Sequence, residues 1–424
     1  MRLLDDNPTT EDKLGYRPTA DLLFEVVTGA AARPLTVGVF GGWGSGKTSV
    51  MRMVEEKLKA QGIKSVWFNA WKYDGKEVIW NALIQTVLLK MRDDAGAAKS
   101  GDIEAFKKNV IRVSKELAKY AAKVGTRFVP GGILREEDVD AFLRAIAPSA
   151  DDDLFAFVNR FEDVFDRLVK EYVGEDGYLV VFVDDLDRCL PENAIEVMEA
   201  LKLYLDRANC VFVVGVEPAI IEEAIRRRYA DNQYLPASEY LEKIVQIPFV
   251  LPRMRAETAL GLAEGMAVDS FPERSTQLSR IVRYGLSRNP RRIKRFINAF
   301  VVASYTAGNL TQPERLILAK ILVLQTRFPD FYRRLMQDPG LIAKLQEADE
   351  ATWHEKDMAE LYENIALRQF LKKTRSVGAD EDEVRQWIRV AKVTRDSLTD
   401  GDDYDLEDVA EEADEREFER TETR

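Results

Sequence analysis

Residues 41–48 of the chain read Gly41-Gly42-Trp43-Gly44-Ser45-Gly46-Lys47-Thr48. This string matches the pattern G-x-x-x-x-G-K-[ST], in which a glycine-rich loop and the helix after it hold phosphate. Glycines let backbone N–H groups turn towards phosphate oxygens because no Cβ stands in the way. The helix N-terminus adds unpaired donors and a dipole that favours an anion. The string therefore predicts a phosphate site between a strand and a helix.

The residues on either side supply that context. Leu35–Phe40 is apolar and β-prone, and a helical pattern runs from Lys47 to about Ala60. We therefore expect a nucleoside triphosphate at this loop, with a glycine-rich turn that holds no ligand as the alternative. The absence of an N-K-x-D guanine signature favours ATP only mildly and leaves GTP open. The expected nucleotide contacts are Gly41, Gly42, Trp43, Gly44, Ser45, Gly46, Lys47, Thr48 and Ser49.

Two of these side chains have specific predicted roles. The Lys47 ammonium would reach the β- and γ-phosphates as a point charge. The Thr48 hydroxyl would be a ligand of Mg²⁺. We therefore count ATP and Mg²⁺ as the expected cofactors, and Lys47 as a candidate catalytic residue.

A second buried strand supplies the carboxylates that such a site needs. Tyr178–Val183 is continuously apolar and is followed by Asp184 and Asp185, which is typical of a Walker B segment. We expect Asp184 to bind the magnesium ion and Asp185 to polarise the attacking water as a general base. A glutamate is commoner in that role. The alternatives for Asp185 are a helix N-cap or a salt bridge to Arg188, and Asp187 could cap the helix or act as the base instead.

Strand and helix patterns alternate along residues 1–252, which predicts an α/β fold with a parallel sheet. Within it, residues 94–176 carry mainly charged helical segments, and we interpret them as a helical insertion. The other predicted strands are Ser65–Asn69, Cys210–Val216 and Ile244–Leu251, and the other predicted helices are Thr19–Thr28, Glu77–Met91, Pro191–Leu205 and Pro218–Tyr229.

Only helical patterns follow Pro252. Residues 253–398 therefore predict an all-α lid and C-terminal domain, in which Gln312–Gln337 is the longest helical pattern. Residues 399–424 are dominated by Asp and Glu, and we expect a disordered acidic tail there.

Composition excludes several classes of protein. With a net charge of -12, the chain is not expected to present a general nucleic-acid-binding surface. Two cysteines and a single histidine, His354, argue against a disulfide framework and against a metal site built from histidines. No secretory h-region and no apolar run of about 18 residues is present. We therefore expect a cytoplasmic protein without a membrane span.

Three separated strings resemble the KAP family of P-loop NTPases: Val39–Thr48, Trp67–Tyr73 and Val183–Cys189. Residues 240–249 and 289–298 look similar to that family too, so the resemblance runs from about residue 7 to residue 300. It implies an additional-strand core with the sheet order 5-1-4-3-2, in which Cys210–Val216 lies between the P-loop strand and the Walker B strand. Many members carry transmembrane hairpins between the Walker motifs, whereas the charged insertion here predicts a soluble member.

The resemblance also suggests roles for residues outside the Walker motifs. Glu217 would occupy a sensor position, where an aspartate is usual; the alternative is an acid at a helix N-terminus. Arg291 or Arg292 would sense the phosphates from the lid, and the alternatives are a solvated basic face or a small nucleic-acid contact. Residues 226–228 are three arginines that would reach a neighbouring subunit of a homo-oligomer, or else complement a helix C-terminus.

These features predict an ATP-dependent molecular switch or motor of the KAP type. Nucleotide binding would order the lid, and hydrolysis would pass a conformational change to the helical parts. The family's link to phage exclusion suggests prokaryotic defence, with a separate protein as effector. Two rivals remain, namely a signalling module with little turnover and a nucleic-acid-stimulated ATPase supported by the basic residues 288–295. A small-molecule phosphotransferase is a weaker idea.

Overall fold

The computed structural model describes residues 3–97, 165–203, 209–229, 236–252, 275–347 and 361–397, apart from short breaks within these ranges and a few isolated positions near residue 258. The predicted insertion at 94–176 is described only at its two ends. The predicted acidic tail at 399–424 and His354 lie outside the described residues.

The chain divides into two compact units. The first, which we call the sheet unit, comprises Pro8–Asp12 and Tyr16–Pro252. The second, which we call the helical unit, comprises Met1–Asn7, Lys13–Gly15 and Arg253–Arg424.

The sheet unit is built on one five-stranded parallel sheet. Its strands are β1 (Leu35–Phe40), β2 (Lys64–Asn69), β3 (Leu179–Asp184), β4 (Cys210–Val216) and β5 (Ile247–Val250). They lie in the order β2-β3-β4-β1-β5, which confirms the order 5-1-4-3-2 and the place of β4 between β1 and β3. All residues of β3 and β4 are buried, as continuous apolar runs in a sheet covered on both faces should be.

One helix precedes the first strand of this sheet, and the others connect the strands. They are α1 (Arg17–Thr28), α2 (Lys47–Ala60), α3 (Ile79–Ala97), α4 (Pro191–Leu203), α5 (Pro218–Arg228) and α6 (Ala237–Ile244). Short 3-10 turns at Ala70–Tyr73 and Leu186–Arg188 follow β2 and β3, and residues 165–173 form a further helical stretch. Because the strands are parallel, the loops after β1, β3 and β4 meet at one edge of the sheet.

The fifth strand is shorter than the sequence predicts. The prediction placed it at Ile244–Leu251, but α6 ends at Ile244 and β5 begins only at Ile247. Leu241 and Ile244 are spaced for one face of a helix, and both are buried there. Periodicity in so short an apolar run does not separate the two structures.

The helical unit contains α7 (Thr276–Gly285), α8 (Pro290–Ala307), α9 (Gln312–Arg327), α10 (Pro329–Gln337), α11 (Leu341–Glu347), α12 (Ile365–Lys373) and α13 (Glu381–Ala391). Its core is aromatic and aliphatic, with Phe296, Phe331, Phe370 and Trp387 fully buried. The predicted single helix Gln312–Gln337 is wrong. The helix breaks at Phe328 because Pro329 disfavours helical geometry in the residue before it and begins a new helix. No helix among the described residues of the chain is long and apolar enough to cross a membrane.

One buried charge stands out in this core. Lys320 lies on α9 with 2% of its surface exposed, and its ammonium donates hydrogen bonds to the carbonyl oxygens of Val377 (2.7 Å) and Thr374 (3.2 Å). Both carbonyls belong to the turn after α12. Burial lowers the pKa of the Lys320 ammonium to about 7. The ammonium therefore ties α9 to this turn at a cost in desolvation.

This arrangement makes the stability of the helical unit dependent on pH. An unfolded lysine titrates near pH 10.4, so between about pH 7 and pH 10 the unfolded chain holds the proton more tightly than the folded chain. The free energy of unfolding should therefore rise with pH across this window. We expect Lys320→Met to flatten that rise. This slope can be measured by urea unfolding at several pH values, with hydrogen exchange of peptides from the helical unit as the readout.

The control is Lys372→Met, which removes a lysine at an exposed position of α12. It should leave the slope of stability against pH as in wild type. If stability rises with pH equally steeply in Lys320→Met and Lys372→Met, burial of Lys320 is not the cause of the pH dependence.

Candidate functional site

The glycine-rich loop joins β1 to α2, as the sequence predicts. Gly44 and Gly46 have φ angles of 81° and 100°, in the left-handed region that residues with a Cβ rarely adopt. Gly46 is the residue directly before α2, so Lys47 and Thr48 occupy the first helical positions. The loop therefore presents the N-terminus of α2 at the carboxyl edge of the sheet, where an anion is favoured.

The start of the loop is tightly packed. A Cβ on Gly41 would lie 2.6 Å from the Ser45 hydroxyl oxygen, so only glycine fits there without a shift. The Ser45 hydroxyl is buried and has no hydrogen-bond partner among the described residues. A buried polar atom without a partner is costly, and a ligand oxygen at the loop would satisfy it.

The Lys47 side chain is folded back onto the loop. Its ammonium donates hydrogen bonds to the carbonyl oxygens of Gly41 (2.7 Å) and Gly42 (3.2 Å). It also forms an ion pair with Asp187, with 3.0 Å between Nζ and Oδ2. The side chains of Lys47 and Asp187 are 8% and 5% exposed. The predicted phosphate-binding cation is thus present and is held by the protein itself.

Thr48 and Asp184 meet although they lie 136 residues apart in the chain. The Thr48 hydroxyl donates a hydrogen bond to Oδ1 of Asp184 at 3.2 Å, and Asp184 is 3% exposed at the end of β3. Burial, with the neighbouring Asp185 charge as a smaller cause, raises the pKa of the Asp184 carboxyl to about 6. A cation at this point would favour the ionised form of Asp184 and so offset the cost of its burial.

Asp185 is held in a left-handed backbone conformation, with φ of 56°. Aspartate tolerates this region better than most residues, and such outliers cluster at functional sites. Its Oδ2 accepts a hydrogen bond from the Asn69 amide at 2.6 Å, and its Oδ1 forms an ion pair with Nε of Arg188 at 2.8 Å. The side chain makes no N-cap hydrogen bond. Of the two alternative structural roles, only the salt bridge to Arg188 is present.

Asn69 is a site residue that sequence reasoning missed. It ends β2 and pairs in register with Asp184 on the adjacent β3, so its side chain reaches the residue after Asp184. Its own Oδ1 accepts a hydrogen bond from the Lys72 backbone N–H at 3.2 Å, which fixes the amide so that its NH₂ group faces Asp185. Asn69 is the last residue of the predicted strand Ser65–Asn69, and only the pairing of β2 with β3 distinguishes it from the other residues of that strand.

Tyr16 is a second residue that sequence reasoning missed. It is 4% exposed, and its hydroxyl donates a hydrogen bond to the carbonyl oxygen of Ser45 in the loop at 2.9 Å. Burial, and then the charge of Asp12, raise the pKa of the Tyr16 hydroxyl to about 12. Nearby, the Ser49 hydroxyl accepts a hydrogen bond from the Thr9 backbone N–H at 3.3 Å. The segment before α1 therefore supports the loop from outside.

Glu217 follows β4 and lies close to the loop. Its Oε2 accepts a hydrogen bond from the backbone N–H of Trp43 at 3.1 Å. The side chain makes no cap hydrogen bond to α5, the helix that it precedes. Its roles as a sensor and as an acid at a helix N-terminus both stay predictions. Cys189 directly follows the turn after β3 and is 8% exposed, and burial raises the pKa of its thiol to about 12, which disfavours the reactive thiolate.

Most of the arginines that sequence reasoning selected, namely Arg291 and residues 226–228, form ion pairs within their own units. In the helical unit, Arg291 pairs with Asp6 at 3.6 Å, and the backbone N–H groups of Arg291 and Arg292 donate to the Asn289 side chain that caps α8. Their role as a phosphate sensor stays a prediction. At the end of α5, the guanidinium groups of residues 226–228 form ion pairs with acids of α4 and α5.

The residues that the structure brings together fit a magnesium ion and a polyphosphate. Thr48 and Asp184 offer the oxygen ligands that Mg²⁺ prefers. Among the described residues, no group of three or more His, Cys, Asp and Glu side chains is arranged to hold a metal ion. An ion at Thr48 and Asp184 would thus take its remaining ligands from phosphate and water, as Mg²⁺ at nucleotide sites usually does.

Comparison with known families and proteins agrees with this geometry. The profile of the KAP family P-loop domain matches residues 16–307. The phage T7 exclusion protein of Escherichia coli (strain K12) is 22% identical over 256 residues, which are 58% of this chain and 34% of that protein. The chain thus spans about a third of that relative's length.

Two solved structures are also similar, at low scores. The Walker-type ATPase PABY2304 of Pyrococcus abyssi has a TM-score of 0.39 and 13% identity, covering 92% of this chain and 99% of its own. The ORC1 protein of Aeropyrum pernix, in complex with DNA, has a TM-score of 0.36 and 14% identity, covering 92% of this chain and 84% of its own. The fold assignment therefore depends on the strand order and on the family profile.

Proposed function

Since this chain belongs to the KAP family of P-loop NTPases, we propose that it binds ATP with Mg²⁺ and hydrolyses it, and that this cycle drives a conformational switch. The observation that carries the proposal is the contact between Thr48 and Asp184. One residue comes from the helix after β1 and the other from the end of β3. A hydroxyl from the phosphate loop's helix beside a carboxylate at the end of a neighbouring strand is the pair that holds Mg²⁺ in P-loop NTPases, and this supports the proposal.

The residues have separate roles in this proposal. Loop N–H groups and the N-terminus of α2 bind the phosphates, and Lys47 neutralises their charge once it leaves Asp187. Thr48 and Asp184 hold the magnesium ion, which when bound neutralises charge on the phosphate oxygens. Asp185 orients the attacking water and accepts its proton. Closure of the helical part over the nucleotide through Arg291 or Arg292 belongs to the same proposal.

The direct test is binding and single-turnover hydrolysis by the full chain, with ATP and GTP compared, with and without Mg²⁺. We expect Mg²⁺-dependent binding and release of phosphate from ATP. Asp184→Asn should raise the Mg²⁺ concentration needed for half-maximal binding by about tenfold or more, since one charged ligand is lost. Failure of the wild-type chain to bind either nucleotide at millimolar Mg²⁺ would overturn the proposal.

Asp184→Asn weakens binding in the proposal above, but without nucleotide it should make the folded chain more stable. The folded pKa of Asp184 is raised to about 6, so above that pH its ionised form costs stability, and below about pH 4 the cost vanishes. We expect Asp184→Asn to raise the free energy of unfolding at pH 7.5 by on the order of 2–3 kcal/mol, and by less as the pH falls towards 4. Thermal unfolding at these two pH values measures the difference. If Asp184→Asn is less stable than wild type at pH 7.5, the buried Asp184 carboxylate does not cost stability and the prediction is wrong.

One observation favours a second candidate, a nucleotide-gated signalling module with little turnover. The carboxylate proposed as base is engaged by both Asn69 and Arg188. If those contacts persist with ATP bound, Asp185 is not available to accept the proton. Single-turnover hydrolysis separates the two candidates, because the module would bind ATP tightly without cleaving it.

We infer phage exclusion in a prokaryote as the biological setting, and the similarity to the phage T7 exclusion protein supports it. A protein effector would carry out the downstream step. Plaque counts of phage T7 on Escherichia coli that expresses this chain or Lys47→Ala test the inference. Equal plaque numbers on both strains, and on cells without the chain, would count against it.

A further inference from the structure

Among the residues that the structure describes, two carboxylates contact the loop amide and the loop lysine that are predicted to bind phosphate. The first is Glu217, whose Oε2 accepts the hydrogen bond of the Trp43 backbone N–H at 3.1 Å. Backbone N–H groups of such a loop are the donors that hold phosphate oxygens. Glu217 directly precedes α5 but makes no cap hydrogen bond to it, and its carboxylate instead reaches a loop that lies 174 residues earlier.

The second carboxylate is Asp187. It lies 3.0 Å from the Lys47 ammonium, in a pair whose side chains are 8% and 5% exposed. Lys47 is the cation of the loop, so its charge is neutralised inside the protein. Asp187 belongs to the turn after β3 and Glu217 follows β4, so two different strands each direct one carboxylate to the loop.

We propose that Glu217 and Asp187 are internal substitutes for phosphate oxygens, which hold the loop amide and Lys47 until a polyphosphate displaces them. This inference rests on the proposed function, because it names how the same site is regulated. It assigns Glu217 a role different from that of a sensor. The residue opposes binding of the phosphates and keeps the empty loop in one conformation.

Displacement has a measurable consequence for affinity. A tethered carboxylate competes with every incoming phosphate, so the observed affinity is lower than that of a loop whose donors are free. A charge-assisted hydrogen bond of this kind corresponds to about a tenfold change in a dissociation constant. The effect should be confined to ligands with phosphates and should persist at high salt, because it is a direct contact rather than a long-range field.

The affinity test uses Glu217→Gln, which keeps the size of the side chain and removes its charge. The matched control is Glu223→Gln on the same helix, where the carboxylate pairs with Arg226 and Arg227 away from the loop. Calorimetry in 0.5 M salt with Mg²⁺ would use three probes: the non-hydrolysable analogue AMPPNP, inorganic tripolyphosphate and adenosine. We expect Glu217→Gln to bind both polyphosphates about tenfold more tightly than wild type, with adenosine binding unchanged.

Asp187→Asn tests the second contact independently. It should also tighten polyphosphate binding, and the two gains should add in the double variant because the carboxylates contact different donors. Glu223→Gln should bind all three probes as wild type does. Binding by Glu217→Gln that is equal to wild type or weaker would overturn the role of Glu217.

A second measurement does not depend on nucleotide binding. The chain has six tryptophans, so selective ¹⁵N-tryptophan labelling gives a small set of backbone amide signals, and Trp43→Phe assigns the one of interest. We expect the Trp43 amide to exchange with solvent about tenfold faster in Glu217→Ala than in wild type. Unchanged exchange would show that the contact does not exist and would overturn the inference.

The two measurements separate the possible failures. Faster exchange together with unchanged polyphosphate affinity would make Glu217 a support for the loop and refute displacement. Faster exchange in a chain that binds no polyphosphate in any variant would refute the proposed function, and displacement with it. Faster exchange together with tighter polyphosphate binding would support both.

Discussion

Replacing Lys47 with alanine is expected to lower single-turnover ATP hydrolysis by about 10²–10³-fold, the usual effect of removing one donor to developing negative charge. ATP binding should weaken as well, because the Lys47 ammonium is a cation placed directly at the phosphate loop, held by the carbonyl oxygens of Gly41 and Gly42. Rapid-quench measurement of phosphate release, with enzyme in excess over ATP, isolates the chemical step.

A loss of activity in this variant has a second possible origin. Lys47 and Asp187 form a buried pair, so removing the lysine leaves a carboxylate of 5% exposure without its cation. Breaking a buried pair in this way typically costs about 3–5 kcal/mol of stability. Lys47→Ala alone is therefore expected to unfold at a lower temperature than wild type.

The double variant Lys47→Ala/Asp187→Asn separates the two effects. It removes the orphaned charge, so most of the thermal stability should return. Hydrolysis should stay low, because the cation for the phosphates is still missing. Recovery of wild-type hydrolysis in the double variant would show that Lys47 acts only as a partner of Asp187.

The sheet was largely predictable because its signals are local. Short apolar runs bounded by glycines and acids marked β1, β3 and β4, and the resemblance to the KAP family supplied their order. The prediction was wrong where a local pattern fits two structures. Ile244 satisfies a helix as well as a strand, and the break before Pro329 falls inside the helical pattern Gln312–Gln337.

The candidate site was only partly predictable, for a different physical reason. The motifs identify which residues carry the chemistry, but they do not say what each contacts when nucleotide is absent. The partners of Lys47, Trp43 and Asp185 are distant in the chain, and nothing in a local pattern specifies such pairs. Asn69 became visible only when parallel pairing of β2 with β3 placed it beside the Walker B acids.

Replacing Asp185 with asparagine is the second change expected to have a large effect. Asparagine is the informative substitution because it also tolerates the left-handed backbone at this position, where φ is 56°. Its amide oxygen can still accept the hydrogen bond from Asn69, so the local structure should be retained. What is lost is the capacity to accept a proton, together with the ion pair to Arg188. Single-turnover hydrolysis should fall by about 10²–10⁴-fold while ATP binding changes little.

Two further variants make this result interpretable. Arg188→Gln removes the ion pair with Asp185 but keeps the carboxylate. That pair is partly exposed, at 30% and 17%, so its loss should cost at most about 1 kcal/mol of stability and little activity. Asp187→Asn tests the other acid that could serve as base. Retained hydrolysis in Asp185→Asn with loss in Asp187→Asn would transfer the role of base to Asp187.

The comparison of wild type with Asp185→Asn also decides between the enzyme and the signalling module. In the enzyme, wild type cleaves bound ATP much faster than Asp185→Asn, because Asp185 is released from Asn69 and Arg188 when nucleotide binds. In the module, those contacts persist, and wild type and Asp185→Asn cleave ATP at the same slow rate. The ratio of the two rates therefore measures whether the carboxylate leaves its partners. A ratio near one would place the function of the chain in binding ATP and would direct attention to the protein that reads the bound state.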